Sequence, residues 1–365
     1  MPLSAVNPEN YAALLEQKAQ RVEALITPFK PPTAEIFPSS ATAYRMRAEF
    51  RVWHDGDKLD YVMYRKGEPK TPVVIKHFPI ASERIQALMS QVMALLRPNP
   101  ELRTKLFQVE FLDTTANDTL VTLIYHRKLD DNWRLQAAQL AEQLDVQVIG
   151  RSRKQKLVLE RDYVNEVLSI HGSQYRYRQY EQAFTQPNAA VNIKMIEWAC
   201  ECAGKLTGDL LELYCGNGNF TLPLSRYFDQ VIATELAKTS IRAARENLKA
   251  NNISNLEMIR LSAEEVTQAI RGERVFRRLA DLPRALTDYD LRTIFVDPPR
   301  AGLDAQTEKM VGTFDSIIYI SCNPETLAGN LEALAHSHII ERFAMFDQFP
   351  YTDHMECGVF LRKKN

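Results

Sequence analysis

The sequence predicts an α/β protein, in which a doubly wound and mostly parallel sheet follows a strand-rich α+β region. From about residue 183 onward, short apolar runs alternate with helical stretches, which is typical of parallel strands joined by helical crossovers. Before that point, alternating strand-like segments dominate and helical stretches are fewer. We therefore divide the 365-residue chain into a domain at 1–182 and a second domain at 183–365.

The region up to residue 182 opens with a predicted helix, because Asn7 can cap it and Pro8 fits its first turn. Segment 44–53 then alternates strictly, so it is predicted to be a strand with one apolar face. The opposite face carries Arg45, Arg47 and Arg51. Further strands are expected at 72–77, 106–112, 119–126, 146–149, 156–160 and 174–180, and helices at 82–96 and 132–144.

The region from residue 183 contains seven apolar strand candidates. They are 209–215, 230–235, 255–261, 291–297, 315–321, 338–346 and 356–363. Helices are predicted between most of them, for example at 238–252 and 324–336. The last two candidates follow each other without a helix, so one of them is expected to run antiparallel. The polar and basic stretch 271–290 is interpreted as an insertion.

Composition excludes several classes of protein. Hydrophobic residues make up 45% and charged residues 25%, which is an ordinary globular mixture, and no apolar run reaches the roughly 18 residues of a membrane span. The N-terminus lacks the pattern of a secretory signal, and five cysteines suit a reducing compartment, so we expect a cytoplasmic protein. We expect no membrane association, and no obligate protein partner is evident from the sequence. The net charge is −1, with residues 1–182 mildly basic. This permits a basic face there but does not establish one.

The segment at 212–220 has the features of a cofactor loop, because it follows an apolar strand and contains two closely spaced glycines. Gly216 and Gly218 allow the backbone to approach a ligand at a helix start. Thr221 replaces the third glycine of a dinucleotide fingerprint. Glu235 ends the next strand, where a carboxylate can accept both hydroxyls of a ribose. The pattern favours a nucleoside cofactor over a simple turn, and leaves NAD and S-adenosylmethionine open.

A second group of reactive residues lies at the ends of later strands. Asp297 and Arg300 bracket two prolines that fix a rigid turn after the fourth strand. Cys322 ends the fifth strand before a predicted helix, whose N-terminus is expected to favour the thiolate. Glu356 and His354 precede the final strand, and Glu356 is the preferred general base. The alternative interpretations are that the turn at Asp297 only terminates a strand, that Cys322 is an inert core residue, and that Glu356 is a solvated acid at a strand edge.

Five motifs together resemble one known family. The chain contains ELYCGNGNF, FVDPPRAGLD, YISCNPETL, FDQFPYTDHMECGVFL and FTQPN. These motifs are similar to those of the RNA 5-methyluridine methyltransferases, and the resemblance covers essentially the whole chain. The segments YRMRAEFRVWHDGD and KLFQVEFL resemble the branch of that family that acts on tRNA.

The resemblance implies a C-terminal class I methyltransferase domain with a Rossmann-like seven-stranded sheet and an N-terminal RNA-binding domain. S-adenosyl-L-methionine would donate a methyl group to C5 of uridine 54 in the T-loop of tRNA, giving ribothymidine. Cys322 would add covalently to C6, and Glu356 would remove the C5 proton. The residues implied for the cofactor are Gln186, Tyr214, Gly216, Gly218, Asn219, Glu235 and Asp297.

The resemblance also assigns RNA contacts. The arginines of the first strand would meet phosphates, while Phe107 and His126 would stack on unpaired bases. Asp297 and Arg300 would lie close to a target base that is flipped out of its loop. The implied partners are the T-arm of tRNA and, as a further candidate, tmRNA. Without the family, a solvated sheet face would be the preferred interpretation of the three alternating arginines.

Other functions remain open on the sequence alone. Relatives that act on rRNA often carry an N-terminal four-cysteine iron–sulfur motif or a small β-barrel module. Here the first cysteine is Cys200, so no such cluster and no metal are expected, which favours the tRNA branch. The alternatives are a methyltransferase for rRNA uridine, an NAD(P)-linked oxidoreductase that uses the glycine turn, and a non-catalytic RNA-binding or RNA-folding protein.

Overall fold

The computed structural model describes residues 6–56, 58–65 and 67–364. The chain forms two compact units, each of them discontinuous in sequence. The first unit comprises Met1–Glu9, Ser40–Val167 and Arg178–Ala189, and the second comprises Asn10–Ser39, Leu168–Tyr177 and Ala190–Asn365. Segments from before residue 183 therefore belong to the second unit, whereas the sequence analysis used a single boundary.

Strands supply most of both units. They are β1 (Glu35–Phe37), β2 (Arg47–Asp55), β3 (Lys58–Arg65), β4 (Glu68–Val74), β5 (Leu106–Leu112), β6 (Leu120–Tyr125), β7 (Gln147–Ser152), β8 (Gln155–Val158), β9 (Tyr163–Ile170), β10 (Ser173–Tyr180), β11 (Asp209–Leu213), β12 (Val231–Thr234), β13 (Leu256–Ile259), β14 (Leu291–Val296), β15 (Ser316–Ser321), β16 (His338–Phe346) and β17 (Glu356–Lys363).

The helices are mostly amphipathic. They are α1 (Tyr11–Ile26), α2 (Glu83–Leu96), α3 (Pro100–Arg103), α4 (Asp131–Leu144), α5 (Ala189–Ala203), α6 (Thr221–Leu224), α7 (Lys238–Ala250), α8 (Ala263–Ile270), α9 (Ala305–Val311) and α10 (Pro324–Ser337). Short 3₁₀ turns occur at Pro8–Asn10, Thr27–Phe29, Ser225–Tyr227, Arg277–Asp281 and Leu286–Asp288. Within the described ranges, no helix combines the length and the apolar character that a bilayer crossing requires.

The first unit contains a seven-stranded sheet in the order β4-β3-β2-β5-β6-β7-β8. All neighbours are antiparallel except β6 and β7. The alternation predicted for β2 is confirmed, because Ala48, Phe50 and Val52 are buried while Arg51 is exposed. The sheet packs closely on α4: a side chain at Gly150 would meet the ring of the fully buried Trp133. The predicted α+β, strand-rich region is therefore present.

The second unit contains an eight-stranded sheet in the order β1-β16-β17-β15-β14-β11-β12-β13. All seven strand candidates of the C-terminal region are present, and the predicted antiparallel strand is β17, which pairs antiparallel with both β15 and β16. The class I methyltransferase fold is thus confirmed. The sequence analysis missed β1, a three-residue strand that pairs parallel with β16. It also missed β9, which forms a separate two-stranded sheet with β10.

The N-terminal helix α1 packs with the second unit. The helix begins at Tyr11 with Asn10 at its N-cap, three residues later than predicted. The predicted cap Asn7 instead accepts a hydrogen bond from the backbone of Glu9, in the short 3₁₀ turn Pro8–Asn10 that precedes the helix. Ala19, Val22 and Ile26 join the apolar core that contains residues of β11, β14 and β15. The helix thereby contributes to the domain that contains the cofactor loop.

Candidate active site

The strand register of the second unit brings four predicted site residues to one edge of the sheet. Leu213 of β11 pairs with Val296 of β14, and Val296 pairs with Tyr319 of the parallel strand β15. Ser321, at the end of β15, pairs with Cys357 near the start of the antiparallel β17. Parallel strands therefore end where β17 begins. The residues placed at this edge are Tyr214, Asp297, Cys322 and Glu356.

The backbone of the glycine loop is open to a ligand, and it is hydrogen-bonded to Glu235, the acid predicted to accept ribose hydroxyls. Gly216 and Gly218 have φ of 57° and 88°, in the left-handed region that favours glycine. An added Cβ on Gly216 would meet nothing within 4 Å, so this backbone faces open space. The amide of Gly216 donates to Oε2 of Glu235 at 3.1 Å, and Oε1 of Glu235 accepts from the amides of Leu236 and Ala237 at 2.7 Å. Free lone pairs on this fixed carboxylate remain for ribose hydroxyls.

Two further cofactor candidates are held in defined positions. The side-chain amide of Asn219 exchanges two hydrogen bonds with that of Asn192, each at 2.9 Å. The backbone carbonyl of Asn219 accepts a hydrogen bond from the Tyr177 hydroxyl. Tyr214 has φ of 61°, a left-handed conformation that is uncommon for non-glycine residues. Burial raises the pKa of its phenol to about 12, so the hydroxyl keeps its proton and can donate.

Three buried carboxyl groups belong to this region. Burial raises the pKa of Glu356 to about 8, and the charge of Asp297 adds to the effect. Burial also raises the pKa of Asp297 to about 7. The residue as a whole is half-buried, but its carboxyl group is enclosed. The pKa of Glu212 rises to about 8 for the same reason, and the charge of Asp297 adds to the effect. At neutral pH, Glu356 and Glu212 are therefore mostly protonated, whereas Asp297 is about half ionised.

The sequence analysis missed Glu212. It is the next-to-last residue of β11 and is 1% exposed. By hydrogen-bond geometry, neither its Oε2 nor Oγ1 of Thr221 has a partner in the described part of the chain. A charged residue inside the apolar run LLELY was the available signal, because a fully buried parallel strand normally contains none.

The environment of Cys322 differs from the expectation for a cysteine at a helix start. The residue is half-buried and precedes α10, whose N-cap is Asn323. Burial, followed by the charges of Glu356 and Asp297, raises the pKa of the thiol to about 11. The prediction that the helix N-terminus makes the thiolate the favoured form is therefore wrong for the protein without RNA, because burial and the charges of the two acidic groups raise the pKa of the thiol.

The turn after β14 is fastened to the start of α10. The carbonyl of Arg300 accepts from Nδ2 of Asn323 at 3.2 Å and from Oγ1 of Thr326 at 3.3 Å. The side chain of Arg300 is exposed. His354 is exposed as well, and burial followed by the charge of Arg300 lowers its pKa. Arg300 is thus an exposed cation close enough to Cys322 to act on its charge.

Helix α1 holds the loop that leads to Glu356. Nζ of Lys18 donates to Oδ1 of Asp347 at 2.5 Å and to the carbonyl of Phe349 at 3.2 Å. Lys18 and Asp347 are 8% and 1% exposed, so this is a buried ion pair. Arg21 of the same helix donates to the carbonyl of Asp353. The sequence analysis did not anticipate this role for the helix.

In the first unit, three of the predicted RNA-contacting residues form one surface cluster. The guanidinium of Arg51 lies 3.9 Å from the centroid of the Phe107 ring, and that ring meets His126 edge-on at 4.1 Å. Arg51 and His126 are exposed and Phe107 is half-buried. A cation and two rings at a surface match the needs of unpaired RNA bases.

The other two arginines of that face differ from the expectation. Nε of Arg45 donates to the carbonyl of Arg47 at 2.8 Å, and Arg47 donates to the carbonyls of Glu181 and Ala183. Both are half-buried, and burial lowers the pKa of both groups. Their guanidinium groups are hydrogen-bonded to backbone carbonyls and do not project into solvent. Gln186, also in the first unit, has a buried Oε1 without a partner in the described ranges.

No group of three or more histidine, cysteine, aspartate or glutamate side chains within residues 6–56, 58–65 and 67–364 is arranged to hold a metal ion. The groups that could hold a cofactor are instead the glycine loop and the Glu235 carboxylate described above.

Comparison with known proteins is consistent with this geometry. The family model described as tRNA (Uracil-5-)-methyltransferase matches residues 10–364. The tRNA/tmRNA (uracil-C(5))-methyltransferases of Yersinia enterocolitica and Yersinia pestis are each 52% identical over 362 residues, which is 98% of this chain and 98% of theirs. The crystal structure of Pyrococcus abyssi tRNA (uracil-54, C5)-methyltransferase with S-adenosyl-L-homocysteine matches with a TM-score of 0.71 at 19% identity, over 96% of this chain and 83% of that one, which supports the fold. The chain therefore belongs to the tRNA (uracil-5-)-methyltransferase family.

Proposed function

We propose that this protein transfers a methyl group from S-adenosyl-L-methionine to C5 of uridine 54 in the T-loop of tRNA, through a covalent adduct between Cys322 and C6. The observation that carries the proposal is the placement of Cys322 and Glu356 next to each other at the sheet edge. Family membership supports the substrate class. Since tRNA is a cytoplasmic RNA in bacteria, we place the activity in the cytoplasm.

The residues present fit S-adenosyl-L-methionine. Glu235 offers a fixed carboxylate for the ribose hydroxyls, and Gly216 opens its backbone toward free space. The unpartnered Oε2 of Glu212 and Oγ1 of Thr221 are buried polar atoms of the kind that a ligand or water completes. We assign the remaining contacts to Gln186, Tyr214, Gly218, Asn219 and Asp297. The bound cofactor supplies a methyl group attached to a positively charged sulfur.

The chemistry requires a nucleophile because C5 of uracil is a weak carbon nucleophile. The thiolate Sγ of Cys322 bonds to C6, and the electron pair of the C5–C6 double bond makes C5 enolate-like. C5 would then take the methyl group as the bond from that methyl group to the cofactor sulfur breaks, with the electron pair of this bond left on the sulfur. Glu356 next removes the C5 proton, the Sγ–C6 bond breaks, and the double bond of the ring returns. A carboxyl group with a pKa of about 8 is a strong enough base for that step and is still partly ionised near neutral pH.

The pKa of Cys322 sets the first requirement of this reaction. A thiol with a pKa of about 11 is almost fully protonated at neutral pH, so loss of its proton must precede attack. Arg300 is the neighbouring group that lowers this pKa. We assign to Arg300 the role of favouring the thiolate once RNA covers the site and excludes water.

We assign the direct RNA contacts to the Arg51, Phe107 and His126 cluster and to Arg300. Arg45 and Arg47 already donate to backbone carbonyls, so we assign them the support of this surface. The target uridine must leave its stacked position to reach Cys322, and the aromatic pair offers replacement stacking for neighbouring bases. We also propose tmRNA as a second substrate, because the Yersinia relatives carry tmRNA in their names.

The test is methylation of unmodified tRNA transcripts with labelled S-adenosyl-L-methionine. The account predicts one 5-methyluridine per tRNA, located at position 54, and none in a transcript with cytidine at that position. An rRNA fragment added as competitor at the same salt concentration should reduce the rate little, whereas tmRNA should compete. Methylation that is equal in the cytidine transcript, or preference for the rRNA fragment, contradicts the proposal.

A further inference from the structure

One face of α7 carries a stripe of basic side chains that the proposed active site does not use. Lys238, Arg242, Arg245 and Lys249 are separated by four, three and four positions, so they lie on one face of the helix, and all four are exposed. The stripe is about 17 Å long at 1.5 Å per residue.

Two adjoining cavities lie along this stripe, with volumes of about 410 Å³ and 350 Å³. They share Arg245, Lys249 and Arg260. Six basic side chains and two acidic ones, Glu246 and Glu257, line the two cavities together. The basic side chains of this α7 basic groove are Lys238, Arg242, Arg245, Lys249, Arg260 and Arg278.

Three arginines of the groove are fixed by backbone carbonyls. Arg245 donates to Met258 at 3.2 Å, and Arg260 donates through Nε to Leu236 at 3.0 Å. Arg278 donates to the carbonyl of Arg260 at 2.6 Å. A guanidinium has five N–H groups, so each fixed arginine retains donors for another acceptor.

Protection of an open sheet edge explains part of this arrangement. β13 is an edge strand, and Arg245 on the carbonyl of its Met258 shields it from pairing with another chain. That explanation does not extend to Lys238 and Lys249, whose ammonium groups make no hydrogen bond or ion pair within the described part of the chain. The cluster is also unexpected in a region, residues 183–365, whose acidic residues outnumber its basic ones.

We infer that the α7 basic groove binds the phosphate backbone of the substrate RNA outside the loop that carries the target uridine. The inference rests on the proposed function for the identity of the RNA. Lys238 lies three residues after Glu235, so the groove starts at the sheet edge of the cofactor site. A nucleic-acid duplex as long as the stripe carries on the order of ten phosphate charges, which is ample for six cations.

The test compares two charge reversals of equal size. Lys238→Glu/Lys249→Glu changes the groove, and Lys205→Glu/Lys309→Glu changes two exposed lysines elsewhere in the second unit. Each variant is titrated with full-length tRNA and with the isolated T-arm hairpin over a range of salt concentrations. Thermal unfolding of both variants checks that these surface changes leave the fold intact.

For full-length tRNA, the groove variant should bind about tenfold more weakly than the control variant, and the slope of log K against log salt should fall by about two. For the hairpin, the two variants should bind alike. Equal tRNA affinity and equal slopes in the two variants overturn the inference. So does an equal loss for hairpin and tRNA, because it places the contact in the loop itself. Binding decides the inference, and methylation by the native protein separately decides the proposed function.

Discussion

Ser321, the last residue of β15, pairs with Cys357 of β17, and this register sets Cys322 beside Glu356. The parallel strands contribute their carboxyl ends to this edge of the sheet, and the single antiparallel strand contributes its first residue. The two groups interact electrostatically. After burial, the charge of Glu356 is the largest cause of the raised pKa of Cys322. The proposed base therefore raises the pKa of the proposed nucleophile.

Replacement of the thiol should abolish methyl transfer without loss of RNA binding. Cys322→Ser keeps the size of the side chain but removes the nucleophile, so we expect the rate to fall by on the order of 10⁴-fold or more. Labelled methyl incorporation and filter binding measure the two properties. Cys200→Ala, at a buried cysteine of α5, serves as the control and should remain active. A Cys322→Ser protein with a tenth of the native rate would show that no covalent step is needed.

The rate should rise with pH across the neutral range. Because the thiol has a pKa of about 11, the thiolate fraction grows about tenfold per pH unit below that value, and adduct formation should follow it in single-turnover experiments. Proton removal from C5 requires ionised Glu356, so completed turnover should show an additional rise near pH 8. Glu356→Gln should retain the first dependence and lose the second. A flat profile between pH 6 and pH 8 contradicts both assignments.

Glu212 should make the folded protein less stable as pH rises. Its pKa is about 8 when folded, above the ordinary value of 4.5, so the folded state binds the proton more tightly than the unfolded state. Its effect is absent below about pH 4.5, and the free energy of unfolding then falls by up to about 1.4 kcal/mol per pH unit until about pH 8. Glu212→Gln should remove this slope. Urea unfolding at pH 5 and pH 8.5 measures it, with the exposed Glu264→Gln as control.

The buried pair of Lys18 and Asp347 should be strongly coupled. Lys18→Met leaves a buried carboxylate without its cation, which should cost about 3 kcal/mol of unfolding free energy. Lys18→Met/Asp347→Asn should recover a large part of that loss. Urea unfolding of the native protein, both single variants and the double variant gives the coupling energy. Additive effects would mean that the pair does not hold α1 to the loop before Glu356.

The order of elements in the second unit was predictable because its strands are buried on both faces. Such strands appear as continuous apolar runs, and all seven runs were found. β1 was not predictable, because three residues carry no periodicity and its partner β16 lies about 300 positions later. The burial of Lys18 was likewise hidden, since its partner Asp347 is distant in sequence. Local patterns identify elements, whereas partners distant in sequence are visible only after folding.

The positions of the site residues followed from strand ends, but their electrostatics did not. A helix start after Cys322 is visible in the sequence and favours the thiolate. The burial of the thiol and the nearby charges of Glu356 and Asp297 depend on tertiary packing, and they reverse the direction of the pKa shift. Arg47 shows the same limit, because its exposed-face position did not reveal the carbonyls of the segment after β10.

The most direct test of the covalent mechanism is mass analysis of Glu356→Gln after incubation with S-adenosyl-L-methionine and unmodified tRNA. Without the base, the methylated adduct should persist through denaturation, and digestion should yield the peptide of Cys322 joined to a 5-methylated, 5,6-saturated uridine. Cys322→Ser/Glu356→Gln, the matched control, should yield none. Methylated tRNA released by Glu356→Gln at the native rate without any protein–RNA species, or RNA attached at another residue, would contradict the account.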